Sequence, residues 1–401
     1  MPDRIETTHA GRVRGPDGIS KRQFIKQCLC GMAGVAIGLH HSDSMAEVLL
    51  GGTTFDSERR VDEKWRKEAL YYSKSKDPAG VRCYKCPYGC FLTEGESGRC
   101  RNRICQDGKL YTIAYGNPCA VHIDPIEKKP FNHFLPATRA FSIAAAGCNF
   151  RCLNCQNWSI SQVSPRETMN DDLQPDAVVE QCISTKCESI AYTYSEPTTF
   201  YEYVLDTAKI AKAQKIRNVI KSNGYINELP LRALARYLDA ANIDLKCFSE
   251  EIYTKLSEGS LAPVLGTLKV LRQEGVWLEI TNLVIPEWTD DRDMIKRMCE
   301  WLCNNGLQDA PLHFSRFTPL YKLTQLPLTP ISTLEAAREI ALLAGMKYVY
   351  IGNVPHHQAE NTYCHNCKKM IVERRGFTIL QNSIKKGKCG FCREKIPGVW
   401  E

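Results

Sequence analysis

The sequence predicts an α/β protein whose mainly parallel sheet curls into a partial or full (β/α) barrel, with small cysteine-rich metal-binding modules before and after it. Two patterns carry this prediction. Between Arg139 and about Pro355, short apolar runs alternate with longer amphipathic stretches in units of about 30 residues, the signature of strand, crossover helix and next strand. The chain has 401 residues and is 43% hydrophobic, and most of its 20 cysteines fall in groups at metal-ligand spacings, which argues against a disulfide framework.

Residues 1–80 read as leader and linker. Within them "SKRQFIKQCLCGMAGVAIGLHH" has Lys21 and Arg22, then Phe24, then an apolar run from Cys28 to Leu39, which resembles a twin-arginine export signal with one arginine replaced by lysine. The expected location is cytoplasmic, with export left open by this segment. The run is too short to span a bilayer and no longer one follows, so no integral membrane segment is expected. The net charge of +7 is spread among interspersed acids and bases, which gives no indication of nucleic acid as a partner.

Residues 81–138 form a cysteine-rich module and an extended segment. Cys83-x2-Cys86-x3-Cys90 with Cys100 is a four-thiolate set for zinc or an auxiliary iron-sulfur cluster, and its spacing does not match the common ferredoxin runs. The following "KLYTIAYGNPCAVHIDPIEKKPFNHFLP" alternates as paired strands do. Its "DPIEKKPFNHF" portion is expected either to help close a barrel mouth or to brace one module against another.

The barrel is placed at 139–358. Its strands are "AFSIAAAG", "SIAYTYSEP", "NVIKSNGY", "NIDLKCF", "WLEITNLVIP", "LHFSRFTP" and "YVYIGNVP". Helical patterns between them include "TTFYEYVLDTAKIAKAQ", "LPLRALARYLDA", "DRDMIKRMCEWLCNNG" and "STLEAAREIALLAG". The residues with chemistry to offer lie where these strands end, the functional edge of a barrel. Residues 359–401 hold Cys364-x2-Cys367 and Cys389-x2-Cys392, separated by 21 residues, a zinc-ribbon pattern with an auxiliary cluster as the second reading.

Cys148-x3-Cys152-x2-Cys155 follows the first of these strands on a loop, where three thiolates can converge free of helix geometry. A four-iron cluster ordinarily takes four thiolates, so three leave one iron open to an amine and a carboxylate from a small molecule. A structural zinc site with a distant fourth ligand is the bland alternative.

With "GCNFRCLNCQNW", "DPIEKKPFNHFLP", "YTYSEPTTFYEYVLDTAK", "SNGY", "DLK", "YIGNVP" and the terminal cysteine pairs, residues 81–401 resemble the radical S-adenosylmethionine (radical SAM) superfamily, and within it the radical enzymes of the AmmeMemoRadiSam system, relatives of pyruvate formate-lyase activating enzymes. The resemblance implies that Cys148, Cys152 and Cys155 hold a [4Fe-4S] cluster whose fourth iron is chelated by S-adenosylmethionine. It implies that Glu196 contacts the methionine amino group, and that Asn223, Asp244 and Lys246 line its carboxylate and ribose. His313 and Arg316 are expected to reach the same mouth from a later strand. The superfamily usually has an aromatic residue before the third cysteine; Asn154 stands there, which leaves adenine packing to another side chain such as Trp158.

The implied chemistry is reductive cleavage of S-adenosylmethionine with an electron from an external one-electron donor, then removal of a hydrogen atom from an unreactive carbon. The activating relatives act on a backbone glycine, so a protein substrate is the first expectation. A small metabolite, or a non-catalytic iron-sulfur carrier or scaffold, are the alternatives. Hydrolytic motifs such as H-E-x-x-H, a Walker loop or a nucleophile elbow are absent from the sequence.

Overall fold

Seven of the expected apolar runs become the parallel part of one eight-stranded sheet. The computed structural model describes residues 63–401, so the twin-arginine-like segment lies outside the described residues. The strands are β1 (Ala120–Pro125), β2 (Arg139–Ala144), β3 (Ser189–Tyr192), β4 (Arg217–Ser222), β5 (Ala240–Asp244), β6 (Trp277–Val284), β7 (Leu312–Arg316) and β8 (Val349–Gly352). They lie side by side in chain order. β1 is antiparallel to β2 and every later pair is parallel.

Each parallel step carries a helix between its strands, among them Pro175–Ser184, Tyr201–Ala213, Glu228–Ala235, Leu261–Gln273, Arg292–Asn304 and Ile331–Leu343. Local chemistry sets their starts. Pro175 opens its helix at a position where no N–H is needed, and Asp291 accepts from Met294 N at 2.7 Å to cap another. β1 and β8 are the two edges, so of the two expected forms the sheet takes the partial barrel.

In a flat eight-stranded sheet, at about 4.8 Å per strand, the edge strands would stand about 34 Å apart. Here His133, shortly after β1, has Nε2 2.6 Å from the Tyr350 hydroxyl of β8. The sheet is curled, and the segment after β1 crosses its open interior at the amino end. Ile126, Phe131 and Phe134 pack there on Ala140, Ala191, Val219 and Ala240 of four successive strands. Glu279 of β6, wholly buried, holds the segment by accepting from the Asn132 and His133 backbone amides at 3.0 and 2.8 Å. The expected closure of the mouth by "DPIEKKPFNHF" is therefore corrected: its apolar residues seek the apolar amino half of the barrel, and the segment forms a floor.

Ordered structure also begins before Val81. Tyr72–Lys76 pairs with Ala79–Cys83, and Lys67–Glu68 pairs with Lys109–Thr112, so the linker expectation fails for residues 67–80. These short strands carry lysine and serine on an exposed face, which hides the alternation. The module is fixed to the barrel by Arg103, whose guanidinium meets both oxygens of Glu202 at 2.8 and 2.9 Å in a fully buried pair.

At the other end, Cys364 and Cys367 lie between the paired strands Thr362–Tyr363 and Met370–Arg375, and Cys389 and Cys392 lie on and just after a second hairpin of Ile384–Lys385 with Lys388–Cys389. Arg374 donates to the Asn132 carbonyl at 2.8 Å, tying this module to the floor. Among the described residues no helix is long and apolar enough to cross a membrane.

Phe134 is wholly buried in the floor cluster. Phe134→Ala is expected to cost about 3–5 kcal/mol of unfolding free energy in a chaotrope titration, through lost burial and the cavity left behind. An unchanged midpoint would show that the segment does not seal the barrel.

Candidate functional site

The three-cysteine loop leaves β2 through Gly147, at φ +99°, where a Cβ would run into the Asn102 side chain and the Cys100 carbonyl. Only glycine allows the amino-terminal module this close. Beyond it the loop is pinned on several sides. Asn149 Nδ2 donates to the Tyr225 carbonyl at 2.9 Å, Arg151 N to Ser257 O at 3.0 Å, and Leu153 N to Leu256 O at 2.9 Å. Phe150, fully buried, packs on Tyr225 with ring centroids 4.9 Å apart.

The sulfurs sit among donors. Cys148 Sγ receives Phe150 N at 3.4 Å and Asn223 Nδ2 at 3.8 Å, and the same Asn223 amide donates to Asn149 Oδ1 at 2.8 Å. Burial first, then the Glu196 charge and the neighbouring cysteines, push the Cys148 thiol well above its ordinary range. Burial likewise lifts Cys155 to about 11. As free groups these cysteines keep their protons, so a metal that binds them must displace protons.

Glu196 follows β3 and is 2% exposed. Oε1 accepts from Thr198 N at 3.0 Å and Ser222 Oγ at 2.7 Å, and Oε2 from Asn223 N at 2.8 Å. The carboxylate thus locks the turn after β3 to the turn after β4. Of its roughly four acceptor directions three are taken, which leaves one for a further donor.

Asp244 ends β5 between two ammonium groups, Lys246 at 2.7 Å and Lys221 closer still. Lys221 also donates to Asn242 Oδ1 at 2.6 Å. Burial alone would raise the Asp244 pKa, but the two lysines outweigh it and hold it at about 2. Lys246 is electrostatically coupled to Cys152 and Cys155, so the structure brings Asp244, Lys246 and the cysteine loop together. Asn223 and Glu196 join them through the contacts above.

His313 stands elsewhere. It is the second residue of β7, with Nε2 2.7 Å from Glu279 and its ring stacked on Tyr350, so it braces the floor from the amino half and is turned away from the mouth where it was expected. Arg316, at the carboxyl end of the same strand, donates to the Thr329 carbonyl at 2.8 Å. Trp158 is exposed and stacks on Tyr321, centroids 5.4 Å apart at an interplanar angle of 11°.

Sequence reasoning missed Lys221. The signal was a lysine inside an apolar strand run, a position that demands a buried counter-charge. It also missed that the amino-terminal module walls the site.

Among the described residues, one set of potential metal ligands has all its ligand atoms within 4.8 Å of one another: Cys364, Cys367, Cys389 and Cys392. Two of its sulfur pairs are 3.6 and 3.7 Å apart, close to the roughly 3.8 Å that a tetrahedral ion at about 2.3 Å from each sulfur imposes. The sulfurs of Cys148, Cys152 and Cys155 do not converge that tightly. Their wider stance, with N–H donors and an ammonium turned to them, fits a larger anionic cluster better than one zinc ion.

The family model of the radical SAM superfamily matches residues 142–301, which contain the cysteine loop and strands β3 to β6. The chain belongs to the radical SAM superfamily. An uncharacterized protein of Methanocaldococcus jannaschii is 46% identical over 335 residues, 83% of this chain and 99% of that protein. The pyruvate formate-lyase 1-activating enzyme of Escherichia coli strain K12 is 26% identical over 166 residues, 40% of this chain and 67% of that enzyme. Among solved structures, a domain of a pyruvate-formate lyase-activating enzyme from Bacteroides vulgatus aligns with a TM-score of 0.36 at 17% identity, over 41% of this chain and 99% of that one. Membership of the radical SAM superfamily implies a [4Fe-4S] cluster and S-adenosylmethionine as cofactors.

Because the Asp244 carboxyl is held below its ordinary 3.8, its ion pairs stabilise the fold above that pH, and the contribution is lost as pH falls toward about 2. Asp244→Asn is expected to lower stability at neutral pH by about 1–3 kcal/mol, since two half-buried ammonium groups lose their partner. Its stability should then vary less with pH in that acid window than the parent's. Parallel acid-unfolding curves for the two proteins would refute the pairing.

Proposed function

We propose that this chain is a radical enzyme of the AmmeMemoRadiSam type, which cleaves S-adenosylmethionine reductively and takes a hydrogen atom from its substrate. The observation that carries the reading is the three-cysteine loop at the carboxyl edge of a partial barrel, beside the Lys221–Asp244–Lys246 group. In this reading Cys148, Cys152 and Cys155 hold the [4Fe-4S] cluster and leave one iron to the cofactor's amine and carboxylate. Held there, the cluster would supply the single electron that reductive cleavage of the cofactor's carbon-sulfur bond requires.

The chain's own residues do the positioning. Glu196 offers its remaining acceptor direction to the methionine ammonium, directly across from Cys148 in charge terms. Asn223 is held by Glu196 through its backbone while its amide reaches Cys148 and Asn149, so one residue aligns the cluster loop with the β4 turn. Lys246 faces the cluster thiolates and Asp244 keeps it there, with an acceptor edge suited to ribose hydroxyls. The Trp158–Tyr321 stack offers an aromatic surface to adenine in place of the aromatic residue missing at Asn154.

The similarity to activating enzymes supports a protein as substrate and an external one-electron donor as partner. The four carboxyl-terminal cysteines are assigned to zinc, which their closed spacing leaves without an open position for catalysis.

Protein reconstituted anaerobically with iron and sulfide, then reduced in the presence of S-adenosylmethionine, is expected to release 5'-deoxyadenosine. Cys152→Ser should reduce this to background while keeping the zinc of the terminal set. Deoxyadenosine at the parent rate from Cys152→Ser would sink the site assignment. Faster release on adding a protein fraction supports the protein substrate; faster release with a low-molecular-weight pool refutes it.

A further inference from the structure

Cys83, Cys86, Cys90 and Cys100 line one small cavity in the amino-terminal module. Within it Cys83 and Cys100 lie close enough to act electrostatically on Cys86. The cavity holds about 10 Å3, room for one water-sized body. A four-iron cube with its sulfides is far larger than that space, whereas one metal ion fits it, so size decides between the two readings that the cysteine spacing allows. The sulfurs stand further apart than those of the terminal set, no three of them within 4.8 Å of one another. A tetrahedral ion with bonds of about 2.3 Å draws its sulfurs to about 3.8 Å, which takes up the space left between them.

A buried charge points to the same occupant. Lys85, Arg99 and Arg103 line the cavity. Arg103 is already matched by Glu202 at 2.8 and 2.9 Å, and Arg99 is paired with Glu258. Lys85 is 1% exposed and its Nζ is buried with no hydrogen-bond partner. An ammonium so placed is costly unless an anion stands beside it. Four protonated thiols carry no charge. Bound to one divalent ion they release their protons, and four thiolates around that ion make a complex of net negative charge next to Lys85.

We infer that Cys83, Cys86, Cys90 and Cys100 bind one zinc ion, with Lys85 as the buried counter-charge of the tetrathiolate. Each thiol gives its proton to solvent as its sulfur bonds the ion, and no electron is transferred. The site adjoins the Cys148 loop: Asn149 lines the cavity and its carbonyl accepts from Arg99 Nε at 3.3 Å. The test therefore uses the full-length chain with Cys148, Cys152 and Cys155 replaced by alanine, so that the neighbouring loop takes no metal.

Purified anaerobically with zinc present, that triple variant is expected to carry about two zinc ions per chain, one here and one on the terminal set. Offered iron and sulfide, it should gain no acid-labile sulfide. Adding Cys83→Ser with Cys86→Ser should remove one zinc ion. Cobalt exchanged for zinc gives a readout that does not depend on how those serine variants fold: thiolate-to-cobalt absorption of the triple variant should correspond to about eight bonded sulfurs, not four. Lys85→Met should weaken retention of one of the two ions about 10–100-fold in a chelator titration and leave the other unchanged. One zinc ion with four-sulfur cobalt absorption would overturn the inference, as would a gain of about four irons and four sulfides. Retention of both ions at parent affinity in Lys85→Met would overturn the role given to the lysine. Failure of the radical reading alone would appear as absent deoxyadenosine from the chain with its Cys148 loop intact, with these zinc counts unaltered.

Discussion

A buried charge must find a partner, and the placement of every functional group in this chain follows from that constraint. The interior of the partial barrel holds Lys221, Asp244, Lys246, Glu279 and His313, groups that would unfold a purely apolar core. They persist because they are joined. Asp244 lies between two ammonium groups, and Glu279 gathers two backbone amides and the His313 ring. Where such joining is complete, the group is structural. Where it is incomplete, as with the last acceptor direction of Glu196 or the bare ammonium of Lys85, something further belongs there.

The same constraint divides the barrel along its axis. In the amino half the strands contribute Ala140, Ala191, Val219 and Ala240, and the floor segment supplies Phe131 and Phe134 to cover them. Above that layer the inward positions turn polar, and at the carboxyl edge they reach the cysteine loop. Floor and mouth are linked through the strands themselves: Glu279 pairs in register with Asn242, which contacts Lys221, which contacts Asp244. A sealed floor fixes the strands whose far ends carry the site.

Much of this was legible in the sequence, for reasons that particular residues make plain. The seven parallel strands were visible because strands covered on both faces read as continuous apolar runs. The cysteine loop was visible because thiols at x3 and x2 spacing have few other uses. What stayed hidden depended on which end of the barrel a residue faces. "LHFSRF" and "DPIEKKPFNHF" both carry polar residues beside strands, and nothing in their composition says that His313 lies at the start of its strand's inward face or that the lysine-rich segment turns its phenylalanines downward. Lys221 was hidden by the same ambiguity, since its counter-charge sits on the neighbouring strand.

Spacing in sequence and spacing in space answer different questions about cysteines. The pairs Cys83-x2-Cys86 and Cys364-x2-Cys367 are identical as patterns, yet the second meets its partner pair at sulfur distances of 3.6 and 3.7 Å while the first borders a cavity. The difference arises in what lies around each pair. The terminal cysteines are carried on short antiparallel strands whose turns bring two knuckles face to face. The amino-terminal ones are spread over a strand, two loops and a residue whose backbone carbonyl abuts Gly147, and the basic residues Lys85, Arg99 and Arg103 fill the wall between them. Lys85 Nζ, buried in that wall with no hydrogen-bond partner, needs a negative charge beside it, and the neighbouring thiols can supply one when a metal displaces their protons.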